Sequence, residues 1–485
     1  MWYQHALIAA YLVVLGLLAI YGFHRTSLLW LYYRFRSQPP RPPRLLQDHE
    51  LPRITVQLPL YNEMYVAERL LEAVARLDYP PGKLQIQVLD DSTDETQGIC
   101  RRKVSELQRR GVDIMYIHRD DRTGFKAGAL DNGLRRATGE YALIFDADFL
   151  PPPDMVRRMV HHFTDPAVAM VQTRWGHINR DYSRLTEVQA LMLDGHHLIC
   201  QTARHRSGLF FNFNGTAGMW RILAIQDAGG WQHDTITEDM DLSYRAQLRG
   251  WKFVYLTDTV TPAELPVEMN SFKAQQFRWA KGTIQVARKL LPTILRSNLP
   301  LRTKVEAVFH LTENFAYPLL LLLSLLVLPN LLVRTEQGWQ EVLLVDLPLF
   351  LGTTTSLVFF YILSQREIRP ESWRDVIKHL PLMLAVGIGL CINQTRAVLE
   401  ALAGRESEFV RTPKHGVATR GERWIDKRYR AVKDLVPLAE LAMAVYFAAT
   451  IAAAVAGGHL LSAPFLVLFA VGFFYVGSLS LHQAR

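Results

Sequence analysis

Acidic residues stand directly after apolar runs at two places in the sequence. Asp90 and Asp91 end one such run, and Asp146 and Asp148 follow another, one residue apart. A carboxylate at the end of a strand can accept hydrogen bonds from a nucleobase or a ribose. Two carboxylates one residue apart can hold Mg²⁺ or Mn²⁺ against a diphosphate. Either cluster alone is also typical of ordinary turn and N-cap residues that precede a helix.

Two further groups could complete a site that binds phosphate and accepts a proton. Lys126 stands at the start of a predicted helix, where its charge can meet a phosphate. Glu238 and Asp239 follow Thr237 and precede a second helical pattern. Favourable interaction with the helix dipole would by itself account for acids in a first turn. A general base must also be a carboxylate that can reach an acceptor hydroxyl, and Asp239 is the candidate.

A polar and aromatic stretch carries Gln275, Arg278 and Trp279. The guanidinium of Arg278 offers a forked donor for a diphosphate, and the ring of Trp279 offers a face on which a sugar can stack. A plain amphipathic helix at a membrane surface would have the same composition.

The elements that must position these residues alternate between short apolar strands and amphipathic helices over residues 50–295, as in an α/β sheet. Ligands of such sheets bind beyond the carboxyl ends of the strands, which is where the acidic clusters stand. Residues 64–77 are predicted to form a helix. The predicted strands are 54–60, 86–90, 113–118, 141–148 and 169–173.

Hydrophobic residues make up 49% of the chain and charged residues 21%, which excludes a disordered or low-complexity protein. Five apolar segments have the length of a membrane-spanning helix. A further apolar stretch at 378–402 has an uninterrupted core of only 13 residues, at 380–392. We predict an interfacial or re-entrant helix over 374–402, with a sixth span as the alternative. The five predicted spans are 6–33, 308–333, 343–364, 436–456 and 460–481.

The distribution of basic residues predicts the orientation. No Lys or Arg precedes the first apolar segment, whereas five Arg lie between residues 25 and 44, which places the N-terminus outside and the following domain in the cytosol. We therefore expect a multi-pass protein of the inner or plasma membrane. The predicted parts are an N-terminal helix with a Pro-rich linker (1–49), a cytosolic catalytic domain (50–299), two spans (300–373), an interface helix (374–403), a cytosolic loop (404–433) and two spans (434–485).

The net charge of +8 suits an anionic partner such as a nucleotide diphosphate or the inner leaflet of a membrane. No nucleic-acid-binding motif accompanies it, so no nucleic acid is expected as a partner. The three cysteines, Cys100, Cys200 and Cys391, are far apart and support neither a disulfide framework nor a zinc site.

The order and spacing of these motifs resemble the processive family 2 glycosyltransferases, the cellulose synthase and hyaluronan synthase group with D, DxD, TED and QxxRW motifs. Three phrases look most like the cellulose synthase-like A and C proteins, which make β-1,4-mannan, glucomannan or glucan backbones. They are FNFNGTAGMWR (211–221), TITEDMDLSYRAQLRGWKF (235–253) and QQFRWAKG (275–282). The resemblance implies an α/β GT-A domain with a Rossmann-like sheet, combined with transmembrane α-helices and an amphipathic interface helix.

The resemblance also implies a role for each matching residue. Asp146 and Asp148 would bind the donor diphosphate through Mg²⁺ or Mn²⁺, and Asp239, within Thr237-Glu238-Asp239, would be the catalytic base. Trp279 would hold the acceptor sugar. The other residues implied to bind the sugar nucleotide are Asp90, Asp91, Lys126, Gln275 and Arg278.

Two loops complete the match. The acceptor loop of the family is matched by Phe213, Asn214, Gly215 and Thr216, where Asn-Gly-Thr replaces the cysteine-containing version of cellulose synthases. That replacement speaks against a role confined to cellulose synthesis. The segment 409–414 resembles the FxVTxK gating loop that closes over bound nucleotide, and it assigns Thr412 and Lys414 to the nucleotide.

The function implied is an inverting transfer of hexose from UDP-glucose or GDP-mannose to a growing β-linked polysaccharide, with β-1,4 as the expected linkage. The product would be threaded through the spans of the same chain. A rival is an enzyme that adds one sugar to a lipid, like the ceramide glucosyltransferases. A transporter with a cytosolic nucleotide-sensing domain is a third class, although the spans carry few ionisable residues and no inverted repeat.

Overall fold

The computed structural model describes residues 2–337, 343–405, 411–429 and 434–483, and within these it leaves out the side chains of 337, 343–351 and 353. The α/β domain is built on one seven-stranded sheet, with strand order β3-β2-β1-β4-β6-β5-β7. The strands are β1 Ile54–Leu60, β2 Leu84–Asp90, β3 Ile114–His118, β4 Tyr141–Ile144, β5 Val168–His177, β6 Gly218–Arg221 and β7 Lys252–Ala263.

Strands β1 to β4 run parallel to one another, so their carboxyl ends meet at one edge of the sheet. The short strand β6 pairs antiparallel with both β4 and β5, while β5 and β7 are parallel. Both faces of the sheet are covered by buried apolar side chains, as expected for parallel strands that read as continuous hydrophobic runs.

The helices cover the sheet and build a second, apolar part of the molecule. A π-helical turn, Gly195–Cys200, joins α6 to α7. The helices are α1 Trp2–Phe35, α2 Ala67–Val74, α3 Thr96–Arg109, α4 Phe125–Leu134, α5 Met155–Val160, α6 Arg184–Asp194, α7 Gln201–Arg206, α8 Ile222–Asp227, α9 Glu238–Leu248, α10 Met269–Arg296, α11 Leu301–Thr312, α12 Ala316–Gln337, α13 Leu343–Ile368, α14 Leu380–Gly389, α15 Cys391–Leu402, α16 Val436–Ala456 and α17 Ala463–Gln483.

Four of the described helical segments are long and apolar enough to cross a membrane, and they contain four of the five predicted spans. The fifth, 343–364, lies within α13, where the side chains of the first nine residues are outside the description. The four segments are Trp2–Phe35, Leu301–Glu336, Val436–Ala456 and Leu460–Gln483.

The predicted interface helix at 374–402 is not one continuous helix. A 3₁₀ turn leads into α14, and α14 meets α15 at a bend of 40°. A Cβ added at Gly389 would lie 2.4 Å from the backbone oxygen of Gly472, so α14 and α17 pack at glycine positions. On α15, Asn393 and Gln394 donate hydrogen bonds to backbone carbonyls of α10. The bent pair therefore connects the long apolar helices to the α/β domain.

The strands differ from the sequence-based expectation in number and in several of their ends, and β5 continues to His177 rather than ending at Thr173. Strands β6 and β7 were not among the predicted ones, and β4 ends at Ile144 rather than at Asp148. Asp146 and Asp148 consequently stand in the loop after the strand. The reason is the pairing with β6, which covers only the four residues of β4.

Candidate catalytic cavity

A cavity of about 220 Å³ opens at the carboxyl edge of the sheet, and most of the predicted site residues line it. They come from loops after β2 and β4, from α4, α9 and α10, and from the segment after residue 410. These lining residues are Asp91, Lys126, Asp146, Asp148, Asn214, Gly215, Thr237, Glu238, Asp239, Gln275, Arg278, Trp279, Thr412 and Lys414.

Asp90, Phe213 and Thr216 were predicted to contact substrates, and the structure places them behind the cavity wall. Asp90 is fully buried and accepts hydrogen bonds from Tyr116 (2.8 Å) and from the amide of Ser92 (2.9 Å). Thr216 accepts a hydrogen bond from the amide of Asp146 at 2.9 Å, and Phe213 is buried in the core. Thr216 thus holds the backbone of Asp146, which lines the cavity, and Asp90 holds the turn that follows Asp91.

Each carboxylate of the DxD pair meets a lysine from another part of the chain. Lys126 donates to Asp146 and, at 3.0 Å, to the carbonyl of Gly215. Lys414 donates to Asp148 at 2.7 Å. Burial by itself would lower the pKa of both lysines, but the adjacent carboxylates outweigh it and raise the pKa of each. Both lysines are therefore charged at neutral pH.

The DxD pair fits a divalent cation that is shared with a substrate. Mg²⁺ is commonly held by one or two carboxylates together with substrate phosphates. Within the described ranges no group of three or more His, Cys, Asp or Glu side chains could hold a metal by itself. Asp146 and Asp148 supply hard oxygen ligands on the cavity wall and leave the remaining positions to a phosphate and water.

The TED motif occupies the first turn of α9, as predicted, with Thr237 as the N-cap residue. Burial, and then the negative charge of Glu238, raise the pKa of Asp239 to about 7. Burial also raises the pKa of Glu238. A carboxylate with a pKa near 7 can act as a general base at neutral pH, because the charged and protonated forms are both accessible.

Gly215 allows the loop at 213–216 to approach Asp239 closely. Its backbone has a φ of +83°, which residues with a side chain rarely adopt. A Cβ at this position would lie 2.9 Å from Oδ2 of Asp239 and 3.4 Å from Nζ of Lys126. Glycine is therefore required both by the backbone conformation and by the space in front of Asp239.

Helix α10 carries the QxxRW residues, and burial strongly affects the charged group of Arg278. Burial lowers its pKa to about 10, although Asp146 and Glu238 act in the opposite direction. Its guanidinium donates a hydrogen bond to Thr412 at 2.7 Å. Gln275 and Trp279 are four residues apart on α10 and both line the cavity.

The segment from Arg411 onwards contributes Arg411, Thr412 and Lys414 to the cavity wall. Phe409 and Val410 of the predicted motif lie outside the described residues. Arg411 forms an ion pair with Glu63 (3.2 Å), and the amide of His415 donates to Glu264 (2.9 Å).

Glu63, Glu264 and Arg411 line the cavity but were missed by the sequence-based prediction. Burial raises the pKa of Glu63 to about 8. Glu63 follows β1 as Asp91 follows β2, so its position at a strand end was a usable signal. Glu264 follows β7, and that strand was not predicted.

Planar side chains lie at the part of the cavity wall that Tyr61, Asp91 and Arg122 form. Arg119 binds Asp91 through two nitrogens of its guanidinium, with Nε at 2.9 Å from Oδ1. The guanidinium of Arg122 lies 3.4 Å from the centre of the Tyr61 ring. Planar groups of this kind can stack on a nucleobase, while Asp91 offers hydrogen-bond acceptors to its edge.

A second cavity, of about 470 Å³, lies among the apolar helices and meets the first. Its wall includes residues of α1, α10, α12, α13, α14 and α17, among them Phe360, Met383 and Gly387. The residues that line both cavities are Trp175, Leu193, Asn214, Thr237, Asp239 and Trp279.

Residues 52–282 match the sequence model of the glycosyltransferase-like family 2. The glucomannan 4-beta-mannosyltransferase 2 of Arabidopsis thaliana is 36% identical over 404 residues, which cover 79% of this chain and 71% of that protein. The glucomannan 4-beta-mannosyltransferase 1 of Oryza sativa subsp. japonica is 33% identical over 439 residues, which cover 85% of this chain and 80% of that protein.

The fold also occurs in a solved structure, a mannosyltransferase from Pyrobaculum calidifontis in complex with GDP-Man and Mn²⁺. It superposes with a TM-score of 0.56 at 22% identity, over 82% of this chain and 100% of that one. The similarity shows a shared GT-A fold. The family match and the two plant relatives show that the chain is a hexosyltransferase. It belongs to the family 2 glycosyltransferases, in the group of the glucomannan 4-beta-mannosyltransferases.

Proposed function

We propose that this protein is a membrane-embedded, inverting and processive mannosyltransferase that extends a β-1,4-linked mannan from GDP-mannose. The names of the two plant relatives support the mannosyl group and the linkage. The observation that carries the proposal is the junction of the two cavities at Asp239 and Trp279. A sugar that accepts the next unit there would extend into the space between the apolar helices.

The cationic side chains stabilise the leaving group. Lys126, Arg278 and Lys414 line the cavity around the DxD pair, where the diphosphate would lie. As the bond from the anomeric carbon to the diphosphate oxygen breaks, its electron pair moves onto that oxygen. Fixed positive charge in a buried site stabilises this developing charge without reorganisation, and such electrostatic stabilisation is usually the largest contribution to the rate.

Asp239 takes the proton from the acceptor. Its carboxylate accepts the hydroxyl proton while the hydroxyl oxygen bonds to the anomeric carbon on the face opposite the leaving diphosphate. One displacement of this kind converts an α-linked donor into a β-linked product. The ring of Trp279, on the shared wall, would hold the accepting sugar by stacking. General base catalysis of this type contributes roughly 10²- to 10⁴-fold.

Asp146 and Asp148 would hold Mg²⁺ or Mn²⁺. A bound cation of this type supplies positive charge to the diphosphate oxygens. Thr412 and Lys414 would keep water away from the reacting centre, because the segment that carries them lies across the cavity.

The test is transfer by the purified full-length chain in proteoliposomes, with radiolabelled GDP-mannose and UDP-glucose in parallel. We expect labelled polymer from GDP-mannose, with release of GDP and sensitivity to an endo-β-1,4-mannanase. A single labelled sugar on a lipid would overturn processivity in favour of the lipid-acceptor rival. Polymer made only from UDP-glucose would overturn the choice of donor.

A further inference from the structure

A histidine on the cavity wall belongs to a buried polar cluster that the proposed reaction does not use. Strand β5 ends with Trp175 and His177, which are two residues apart and therefore lie on the same side of the strand. Both line the catalytic cavity. Nε2 of His177 lies 3.0 Å from Oδ1 of Asp194, and only 5% of the histidine side chain is exposed.

Asp194 holds this histidine in one orientation. Its other oxygen accepts hydrogen bonds from Arg180 (2.7 Å) and from Gln365 of α13 (2.8 Å), and Arg180 also donates to Gln365. Burial would raise the pKa of Asp194, but the hydrogen bond from His177 and the charge of Arg180 lower it. Asp194 is therefore a carboxylate that accepts hydrogen bonds from three sides.

The tautomer of His177 follows from this arrangement. A carboxylate can only accept, so Nε2 carries a proton, and in the neutral form of the ring the free acceptor is then Nδ1. Nδ1 has no hydrogen-bond partner in the part of the chain that the structure describes, and it is not among the buried polar atoms without a partner. The atom is thus partly accessible, on a residue that lines the cavity.

We propose that His177 binds a hydroxyl group of the sugar in the catalytic cavity through Nδ1, and that Asp194, Arg180 and Gln365 position it for this contact. The proposal rests on the sugar-transfer function above. A bare nitrogen acceptor is suited to a hydroxyl donor and would repel phosphate oxygens. A metal-binding role has no support, because among the described side chains His177 does not belong to a group of three possible metal ligands.

The hydroxyl can belong to the donor mannosyl group or to the terminal sugar of the acceptor. These two sources are separated by measuring the affinity for GDP and for GDP-mannose by calorimetry, and the KM of a mannooligosaccharide acceptor by GDP release. A contact with the donor sugar changes the affinity for GDP-mannose, whereas the affinity for GDP stays the same. A contact with the acceptor changes only the acceptor KM.

Two substitutions test the contributions of the two ring nitrogens separately. His177→Gln retains an amide N–H near the position of Nε2, and so the contact with Asp194, but it has nothing at Nδ1. His177→Asn places a polar atom near Nδ1 and gives up the contact with Asp194. For His177→Gln we expect a three- to tenfold weaker GDP-mannose affinity or a three- to tenfold higher acceptor KM, as for the loss of one hydrogen bond. His177→Asn should restore part of the loss.

Glu187→Gln is the matched control, because Glu187 binds Arg180 on the side away from Asp194 and does not line the cavity. It should leave both affinities and the acceptor KM unchanged. The proposal is overturned if His177→Gln behaves like wild type, or if it weakens GDP and GDP-mannose equally. A wild-type chain that binds no GDP-mannose would instead overturn the proposed donor, so the two failures are distinguishable.

Discussion

At the scale of single residues, the cavity combines buried carboxylates with buried cationic side chains. Glu238 and Asp239 face Lys126 and Arg278 across the site, and their pKa values are displaced from the usual range by burial and by one another. Shifts of this kind cluster at functional sites, where a group must gain or lose a proton near neutral pH. We therefore expect the activity of the site to depend on pH near neutrality.

Turnover should depend on the charge of Asp239. Its pKa is raised to about 7, so the base form exists above that pH and is lost as the pH falls through 7. We expect kcat to rise between pH 6 and pH 8. We also expect Asp239→Asn to reduce kcat by roughly 10²- to 10⁴-fold while GDP-mannose still binds. Pre-steady-state transfer and calorimetry measure the two quantities, and unchanged turnover in the variant would remove Asp239 from its role.

Donor binding should depend on Asp148 only when a divalent cation is present. Asp148→Ala removes a carboxylate oxygen next to the expected diphosphate site, and we expect GDP-mannose affinity with Mn²⁺ to fall by at least about tenfold, since a charge-assisted contact is worth roughly 1.5–3 kcal/mol. Titrations with and without Mn²⁺ test this. Asp154→Ala is the control, because Asp154 pairs with Arg158 on the surface. Equal weakening in both titrations would contradict a metal-binding role.

At the scale of elements, the segment 411–429 is anchored to the catalytic domain along its length, and two of these anchors lie near its start and near its end. Near its start, Lys414 and Thr412 bind Asp148 and Arg278 inside the cavity. Near its end, the hydroxyl of Tyr429 donates to Asp94 and accepts from the amide of Met64 at 3.3 Å. The second anchor lies outside the cavity, so the closed position of the segment can be weakened without touching the donor site.

Tyr429→Phe should loosen this segment, because it keeps the ring and removes both hydrogen bonds. The expected loss of roughly 0.5–1.5 kcal/mol per bond corresponds to exchange at least about two- to tenfold faster at the amide of His415, which binds Glu264 in the closed segment. Hydrogen exchange read by mass spectrometry is the measurement. Tyr79→Phe, which loses a hydrogen bond to Pro52, controls for the loss of a hydroxyl elsewhere. Unchanged exchange in Tyr429→Phe would show that the other contacts of the segment hold it without this hydroxyl.

At the scale of the whole molecule, the catalytic domain and the apolar helices share one wall. The bent pair α14–α15 reaches from α17 to α10, and α10 carries the QxxRW residues. The second cavity begins at this wall and is lined by helices from both halves of the sequence. A product of growing length would therefore be made and accommodated by one continuous structure.

Filling the second cavity should shorten the product without stopping the chemistry. Gly387 of α14 lines that cavity and not the first, and a side chain there projects toward Met192. For Gly387→Leu we expect shorter polymer in gel-filtration profiles, with transfer of a first mannose to a short acceptor retained. Gly16→Leu is the matched control, because a Cβ at Gly16 meets nothing within 4 Å. Polymer of wild-type length from Gly387→Leu would place the exit path elsewhere.

The sequence alone was sufficient to predict the α/β domain and most of the described charged residues that line its cavity. Asp146, Asp148 and Asp239 stand at the ends of apolar runs or at a helix start, and such local patterns survive folding because they are set by neighbours in the chain. Four apolar segments were recognisable as membrane-spanning lengths for the same reason.

Only the tertiary structure decided which residues meet. Insertion of β6 between β4 and β5 ended β4 at Ile144, and the pairing of β5 with β7 brought Glu264 to the cavity. The ion pair of Glu63 with Arg411 joins residues 348 positions apart (411 − 63), and no local pattern contains it. Contacts of this kind arise from the packing of distant elements, whereas the sequence determines the propensity and chemistry of each element by itself.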